Sequence, residues 1–177
     1  MEKQKRVNIK KIKYENLKQY KNHFELLYIF KYKNLIRKLL LQYKFGKKAY
    51  LSNIFINIIL KDENCCRKLK FYDIIIPVPM YYKKQKQRGY NQTELIANKL
   101  AESLGITLEN NCLIKIKNTK VQSTQTKNDR KENIKNAFLV NNIEKLKDKN
   151  LIVFDDIYTT GSTAKEIARV LKNARCK

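Results

Sequence analysis

The sequence predicts an α/β fold, a doubly wound parallel sheet flanked by helices. Three observations carry that expectation. Two short apolar runs, residues 74–76 (III) and Leu151–Phe154 (LIVF), have the length and apolar character of strands buried on both faces. Between them lie stretches with apolar residues at helical spacing, the alternation that builds right-handed βαβ units. Pro77 and Pro79 close the first run, and Gly46 and Gly105 close two helical patterns.

Length and composition bound the rest. At 177 residues the chain is long enough for one domain with a sizeable core. A hydrophobic fraction of 43% argues against wholesale disorder. No apolar run reaches the ~18 residues of a membrane span. The basic N-terminus lacks the apolar centre of a signal peptide, so a cytoplasmic protein is expected. The formal net charge is +23, and two readings of it stand side by side. One is a surface for polyanions. The other is a codon bias that enriches Lys, Asn, Ile and Tyr together. Arginine, which forks onto phosphates, occurs only at positions 6, 37, 67, 88, 130, 169 and 175. Cys65, Cys66, Cys112 and Cys176 form no CxxC pair, so no zinc ribbon is readable and reduced thiols are expected. The single histidine, His23, reads as structural or exposed.

Taken in order, residues 1–22 form a basic arm and residues 23–70 a hood region of helix and strand. Residues 71–177 form the core. In the hood, FELLYIFKY over 24–32 suits a strand or strand pair. Leu35, Ile36, Leu39 and Leu40 then repeat at helical spacing. A second helix over 48–60 gathers Leu51, Ile54, Phe55, Ile58 and Ile59 on one face. Residues 61–70 read as a charged connector. The core opens with the 74–76 strand. The loop over 80–90 follows, carrying Lys83, Lys84, Lys86 and Arg88. Next come a helix over 91–104, a strand over 112–116 and a long polar loop over 117–136. That loop carries Arg130 and Lys131 and has the composition of a lid. Strands at 137–140 and Leu151–Phe154 complete the sheet. The chain reaches position 177 within the helix that follows, one strand before a closing strand is expected.

The stretch with the most chemistry is 151–163, LIVFDDIYTTGST. A buried strand delivers Asp155 and Asp156 to a hydroxyl-rich turn of Thr159, Thr160, Gly161, Ser162 and Thr163, with helix-forming residues from Ala164. Backbone N–H groups at a helix N-terminus make an anion site. Carboxylates beside a phosphate cradle repel phosphate itself, but they accept hydrogen bonds from vicinal hydroxyls on the same ligand. A ribose 5-phosphate offers both. A βα turn with an N-capping hydroxyl is the plain structural alternative.

This stretch resembles the phosphoribosyl diphosphate (PRPP) signature of the type I phosphoribosyltransferases. The resemblance implies that Asp155 and Asp156 bind the ribose hydroxyls and that Thr159, Thr160, Gly161, Ser162 and Thr163 bind the 5-phosphate. Further segments narrow it. Residues 75–79 (IIPVP), then RGYNQ at 88–92, Gln122, Ser123, Arg130, Asn133, Ala137 and Phe138, and YKFGK at 43–47 are similar to motifs of the ComF-type, competence-associated phosphoribosyltransferases. Members usually begin with a four-cysteine zinc ribbon and continue past the last helix. This sequence shows neither.

The family implies Mg2+-dependent transfer of a phosphoribosyl group to an acceptor that the sequence does not identify. Lys83, Lys84, Lys86, Arg88 and Arg130 would hold the diphosphate. Asp155, Asp156, Arg88 and Arg130 would be the catalytic set. Magnesium would be held mainly through substrate and water rather than by protein ligands. The acceptor would activate itself, or Asp156 would serve as base. Partners implied are PRPP, single-stranded DNA and a DNA-uptake protein. Tyr81 and Tyr82 beside Lys83 and Lys84 suit base stacking or plain loop packing. The competing function is a non-catalytic module that senses PRPP or nucleotide, or that binds single-stranded DNA.

Overall fold

The computed structural model describes residues 26–30, 32–119 and 132–173. They divide into two compact units, Met1–Lys31 and Tyr32–Lys177. Within the first, residues 26–30 contain no strand, in contrast to the strand expected over 24–32. The basic arm, His23, Cys176, Gln122, Ser123, Arg130 and Lys131 lie outside the described residues.

The second unit begins with three helices: α1 (Asn34–Phe45), α2 (Leu51–Leu60) and α3 (Glu63–Leu69). Gly46 follows α1, as expected. The third helix replaces the expected connector. Its N-cap is Asp62, whose carboxylate accepts from the Cys65 amide at 2.8 Å and satisfies one donor left over at the helix start. A seven-residue helix in a charged stretch has little apolar periodicity to announce it.

The core sheet is parallel and three-stranded. Its order is β2–β1–β5, where β1 is Ile74–Pro77, β2 is Thr107–Leu108 and β5 is Leu151–Phe154. Ile74 through Pro77 pair in register with Leu151 through Phe154. Side chains alternate along a strand. On one face of β1, Ile74, Ile76 and Val78 pack with Leu113, Phe138, Leu146, Ile167 and Leu171. On the other lies Ile75, with helix α5 (Gln92–Leu104), which buries Ile96, Ala97, Leu100 and Ala101. Both faces are covered, which is why the strand is an unbroken isoleucine run.

Two expected strands take a different place. β3 (Leu113–Lys115) and β4 (Phe138–Val140) pair with each other, antiparallel, in a separate two-stranded sheet. Their inward residues, Leu113 and Phe138, still feed the shared core; of the long loop expected between them, residues 120–131 lie outside the described residues and residues 132–134 are helical. The third strand of the parallel sheet is instead the two-residue β2, too short for a period-two signal. The expected loop over 80–90 contains a helix, α4 (Tyr82–Arg88). The last helix, α6 (Ser162–Asn173), starts two residues earlier than its apolar pattern suggests. No helix among the described residues is long and apolar enough to cross a membrane.

Candidate functional site

The chain leaves β1 toward β2 on one side, while β5 lies on the other. In such sheets ligands bind in the crevice outside the carboxyl ends of the strands where the order reverses. That crevice opens between the segments after Pro77 and after Phe154.

Its first wall is built around Val78. The Val78 amide makes the last ladder bond, to the Phe154 carbonyl at 2.9 Å. Pro79 offers no N–H to continue the ladder. The Val78 carbonyl is satisfied by side chains instead. Thr93 Oγ1 donates to it at 2.7 Å and Asn91 Nδ2 at 3.2 Å. Asn91 is also the N-cap of α5, its Oδ1 accepting from the Thr93 amide at 3.3 Å. The start of α5 is thereby fixed to the end of β1. Gly89, at φ +90, ends α4 in the left-handed conformation and turns the chain into this cap.

The second wall comes from α1. The Tyr43 hydroxyl donates to the Gln92 carbonyl at 2.8 Å, and the Tyr90 hydroxyl donates to the Tyr43 carbonyl. Their rings lie 5.8 Å apart. This reciprocal clasp joins the segment 43–47 to 88–92. Burial, then the nearby Tyr90 and Asp156, push the Tyr43 pKa up, so the hydroxyl remains a donor.

Asp156 is where the walls meet. Lys44 Nζ pairs with its Oδ2 at 2.9 Å, and Gln92 Nε2 donates to the same oxygen at 2.9 Å. Gln92 Oε1 accepts from Arg88 Nη1, which fixes the orientation of the side-chain amide. Arg88 also reaches Met80 Sδ at 3.5 Å, and its guanidinium stands 5.4 Å from the Phe45 ring. A relay therefore runs from Arg88 through Gln92 to Asp156, with Lys44 closing it. The Asp156 side chain is only 5% exposed and that of Lys44 18%.

Asp155 is held differently. One of its oxygens accepts from the Asp156 amide at 2.8 Å, and the residue is exposed. Close packing around the carboxyl and the adjacent Asp156 carboxylate raise its pKa, while Lys44 opposes the rise. Asp156 is committed to protein partners through Oδ2, and Asp155 is joined to it by a hydrogen bond between the two side chains.

The turn after the carboxylates leads into the last helix through Gly161. The Gly161 carbonyl accepts from the Lys165 amide at 2.9 Å, the first bond of α6, so Gly161 caps the helix. Its φ of +72 is one that side chains rarely adopt. Thr160 Oγ1 and Ser162 Oγ lie 2.8 Å apart, and the Ser162 amide donates to Thr160 Oγ1 at 3.4 Å. Two hydroxyls and one amide thus bond to one another at the start of α6.

The four basic residues expected in one loop are divided by α4. Lys84 and Arg88, at i and i+4, share its half-buried side, whereas Lys83 and Lys86 are exposed. Lys84 Nζ donates to the Thr119 carbonyl at 2.6 Å, and Lys83 sits 5.9 Å from the Tyr82 ring. Of that set, the structure brings Arg88 to the carboxylate relay and leaves Lys83 and Lys86 on the solvent side.

Sequence reasoning missed two side chains as site residues: Lys44 and Gln92. Lys44 and Gln92 lie inside motifs that marked the family, and their adjacency to a conspicuous carboxylate pair appears only after folding. Lys115, on β3, is half-buried. Burial, then Lys84, depress its pKa to about 8, Asp155 opposing.

Comparison with known proteins gives a consistent picture. A family model described as phosphoribosyl transferase domain matches residues 92–177. Competence protein F of Haemophilus influenzae is 31% identical over 160 residues, which cover 88% of this chain and 70% of that protein. DNA utilization protein YhgH of Salmonella typhimurium is 29% identical over 133 residues, 73% of this chain and 58% of that protein. Competence protein ComFC of Bacillus subtilis is 26% identical over 147 residues, 81% of this chain and 56% of that protein. The chain thus spans under two thirds of the latter two.

Proposed function

Since the chain belongs to the ComF-type family of phosphoribosyltransferase-like proteins, we propose that it binds PRPP in the crevice between β1 and β5 and transfers its phosphoribosyl group. The observation that carries this reading is the junction after β5, where a carboxylate pair leads directly into a glycine-capped, hydroxyl-rich helix start. Asp155 and Asp156 accept from the ribose hydroxyls, Asp156 being held in place by Lys44 and Gln92. Thr159, Thr160, Gly161, Ser162 and Thr163 take the 5-phosphate. Arg88 and Lys84 face the diphosphate. In the transfer, the bond from ribose C1 to the diphosphate oxygen breaks and the electron pair leaves with diphosphate. A bond from C1 to the acceptor forms, and the acceptor loses a proton to solvent.

Magnesium would be held mainly by oxygens of the substrate and by water, and when bound it would neutralise charge on the leaving group.

The names of the relatives, competence and DNA utilization proteins, support a role in DNA uptake; single-stranded DNA or a DNA-uptake protein as partner, and a cytoplasmic location, belong to the same proposal. A second reading, PRPP sensing without turnover, is favoured by the commitment of Asp156 Oδ2 to Lys44 and Gln92. Calorimetric titration with PRPP and Mg2+, alongside a diphosphate-release assay over nucleobases, amines and DNA, separates the two. Binding without release leaves the sensing reading. Undiminished PRPP affinity in the Asp155→Ala, Asp156→Ala double variant refutes the site.

A further inference from the structure

The β3–β4 pair departs from the usual pattern of an antiparallel sheet, in which one face packs on the core and the other is polar. Leu113 and Phe138 are buried, yet the residues that alternate with them are aliphatic as well. Ile114 and Leu139 stand directly opposite each other in the register and are 42% and 54% exposed. Ile116, two residues on and therefore on the same side as Ile114, is 44% exposed. Its amide extends the ladder to the Ala137 carbonyl at 2.9 Å. The solvent side of the pair is thus an apolar face. One end of that face is basic. Lys117 Nζ donates to the Lys135 carbonyl at 2.8 Å, and both lysines are exposed. Beside them, Arg169 Nη2 donates to Asn136 Oδ1 at 2.9 Å. The carboxylate there, Glu166, is committed to Arg169 and to the Asn136 amide. At the opposite end the charge is balanced, Lys145 pairing with Glu109 at 3.2 Å.

We infer that this face docks a segment of another protein, whose aliphatic side chains cover Ile114, Ile116 and Leu139 and whose carboxylates meet Lys117, Lys135 and Arg169. The aliphatic contact supplies the affinity, and the basic end sets the direction in which the segment lies. Charge decides against a second copy of this chain. A two-fold contact sets the same patch against itself. The stretches 112–119 and 135–143 carry Lys115, Lys117 and Lys135 and no Asp or Glu, so neither copy offers the other a carboxylate from its strands. A nucleic-acid strand would answer the cations and leave the aliphatic face wet. The inference is independent of the ribose-phosphate reading, because it uses none of the residues of the crevice.

Selection from a random peptide library displayed on phage tests this, with the Ile114→Ser, Leu139→Ser double variant as counter-target. Peptides retained by the wild type should combine Ile, Leu or Val with Asp or Glu. A synthetic copy of the strongest peptide, followed by fluorescence anisotropy, should bind the double variant about tenfold more weakly. Lys135→Glu leaves the apolar face intact and should weaken the same peptide by about three- to tenfold, with the difference shrinking at high salt. Circular dichroism checks that both variants are folded, and if the double variant is not, Lys135→Glu alone decides. Peptides that bind the wild type and the variants alike overturn the inference, and so does a selection that retains none. A wild-type dimer in sedimentation equilibrium that the double variant loses overturns it in favour of a second copy. Loss of affinity for oligothymidylate in the double variant overturns it in favour of nucleic acid.

Discussion

Replacing Gly161 with alanine probes the phosphate turn at its tightest point. The residue sits at φ +72, and placing an L side chain in the left-handed region costs about 1–2 kcal/mol. Alanine also stiffens the unfolded chain, which returns roughly 0.4–1 kcal/mol. A second cost is steric. The new methyl would lie against the Tyr158 hydroxyl and 2.9 Å from the ring carbon that bears it, so the ring must move. Overpacking of this kind costs about 1–3 kcal/mol, and the lower end applies because Tyr158 is only partly buried. The net destabilisation is about 2 kcal/mol, or roughly 4–8 °C in Tm for a domain of this size. Ligand binding falls further, since the moved backbone is the phosphate cradle itself. Scanning calorimetry measures the first effect and titration with ribose 5-phosphate the second. Gly161→Asn should lie between wild type and alanine in stability, because asparagine enters the left-handed region more readily. Alanine within about 0.5 kcal/mol of wild type, with undiminished affinity, would falsify the assignment of Gly161 as a conformational requirement.

Two further predictions concern the charges that frame the site. Lys44→Met strands the Asp156 carboxylate with Gln92 alone. Breaking a buried pair costs about 3–5 kcal/mol, reduced to about 2 here because Lys44 keeps some solvent access. Urea unfolding at the wild-type midpoint would sink that account, and Lys44→Arg should retain most of the stability. Glu166 on α6 accepts from Arg169 Nε at 3.0 Å and from the Asn136 amide at 2.7 Å. The bond from Arg169 is the main reason its pKa lies below the ordinary range. A depressed carboxylate stabilises the fold above its unfolded pKa of about 4.3 and ceases to as pH falls through the folded value. Glu166→Gln should therefore cost about 1 kcal/mol at pH 7, with the difference from wild type closing below about pH 4. A difference that persists unchanged to pH 3 rules out the charge as its source.

The parts of this fold that were legible in the sequence share one property: their signal is local. The isoleucine run of β1, the LIVF of β5 and the helical patterns of α1, α2 and α5 each announce themselves within a dozen residues. The failures are also physical. β2 has two residues, too few for any period, so its place in the sheet was assigned to β3 and β4. Those two strands look like sheet strands because each buries one face, and burial does not reveal the direction of a neighbour. α3 and α4 are seven-residue helices with charged surfaces, held by a cap and by tertiary contacts rather than by an apolar stripe. The carboxylate pair and the hydroxyl turn were legible because they are contiguous. Lys44 and Gln92 reach the same crevice from two separate elements, and no sequence window joins them to the carboxylates.

The parallel pairing of β1 with β5 also has a consequence for synthesis of the chain. Asp73 and the Asn150 amide, bonded at 2.8 Å, are 77 residues apart, and Gln92 and Asp156 are 64 apart. Closing loops of that length is a cost met late, after local helices have formed. A ribosome emits the chain from the N-terminus at about 5–20 residues per second. For several seconds, Lys44, Lys84, Arg88 and Lys115 are outside the tunnel while Asp155 and Asp156 are not. During that interval the basic side chains of the site lack the two carboxylates that balance them in the folded chain.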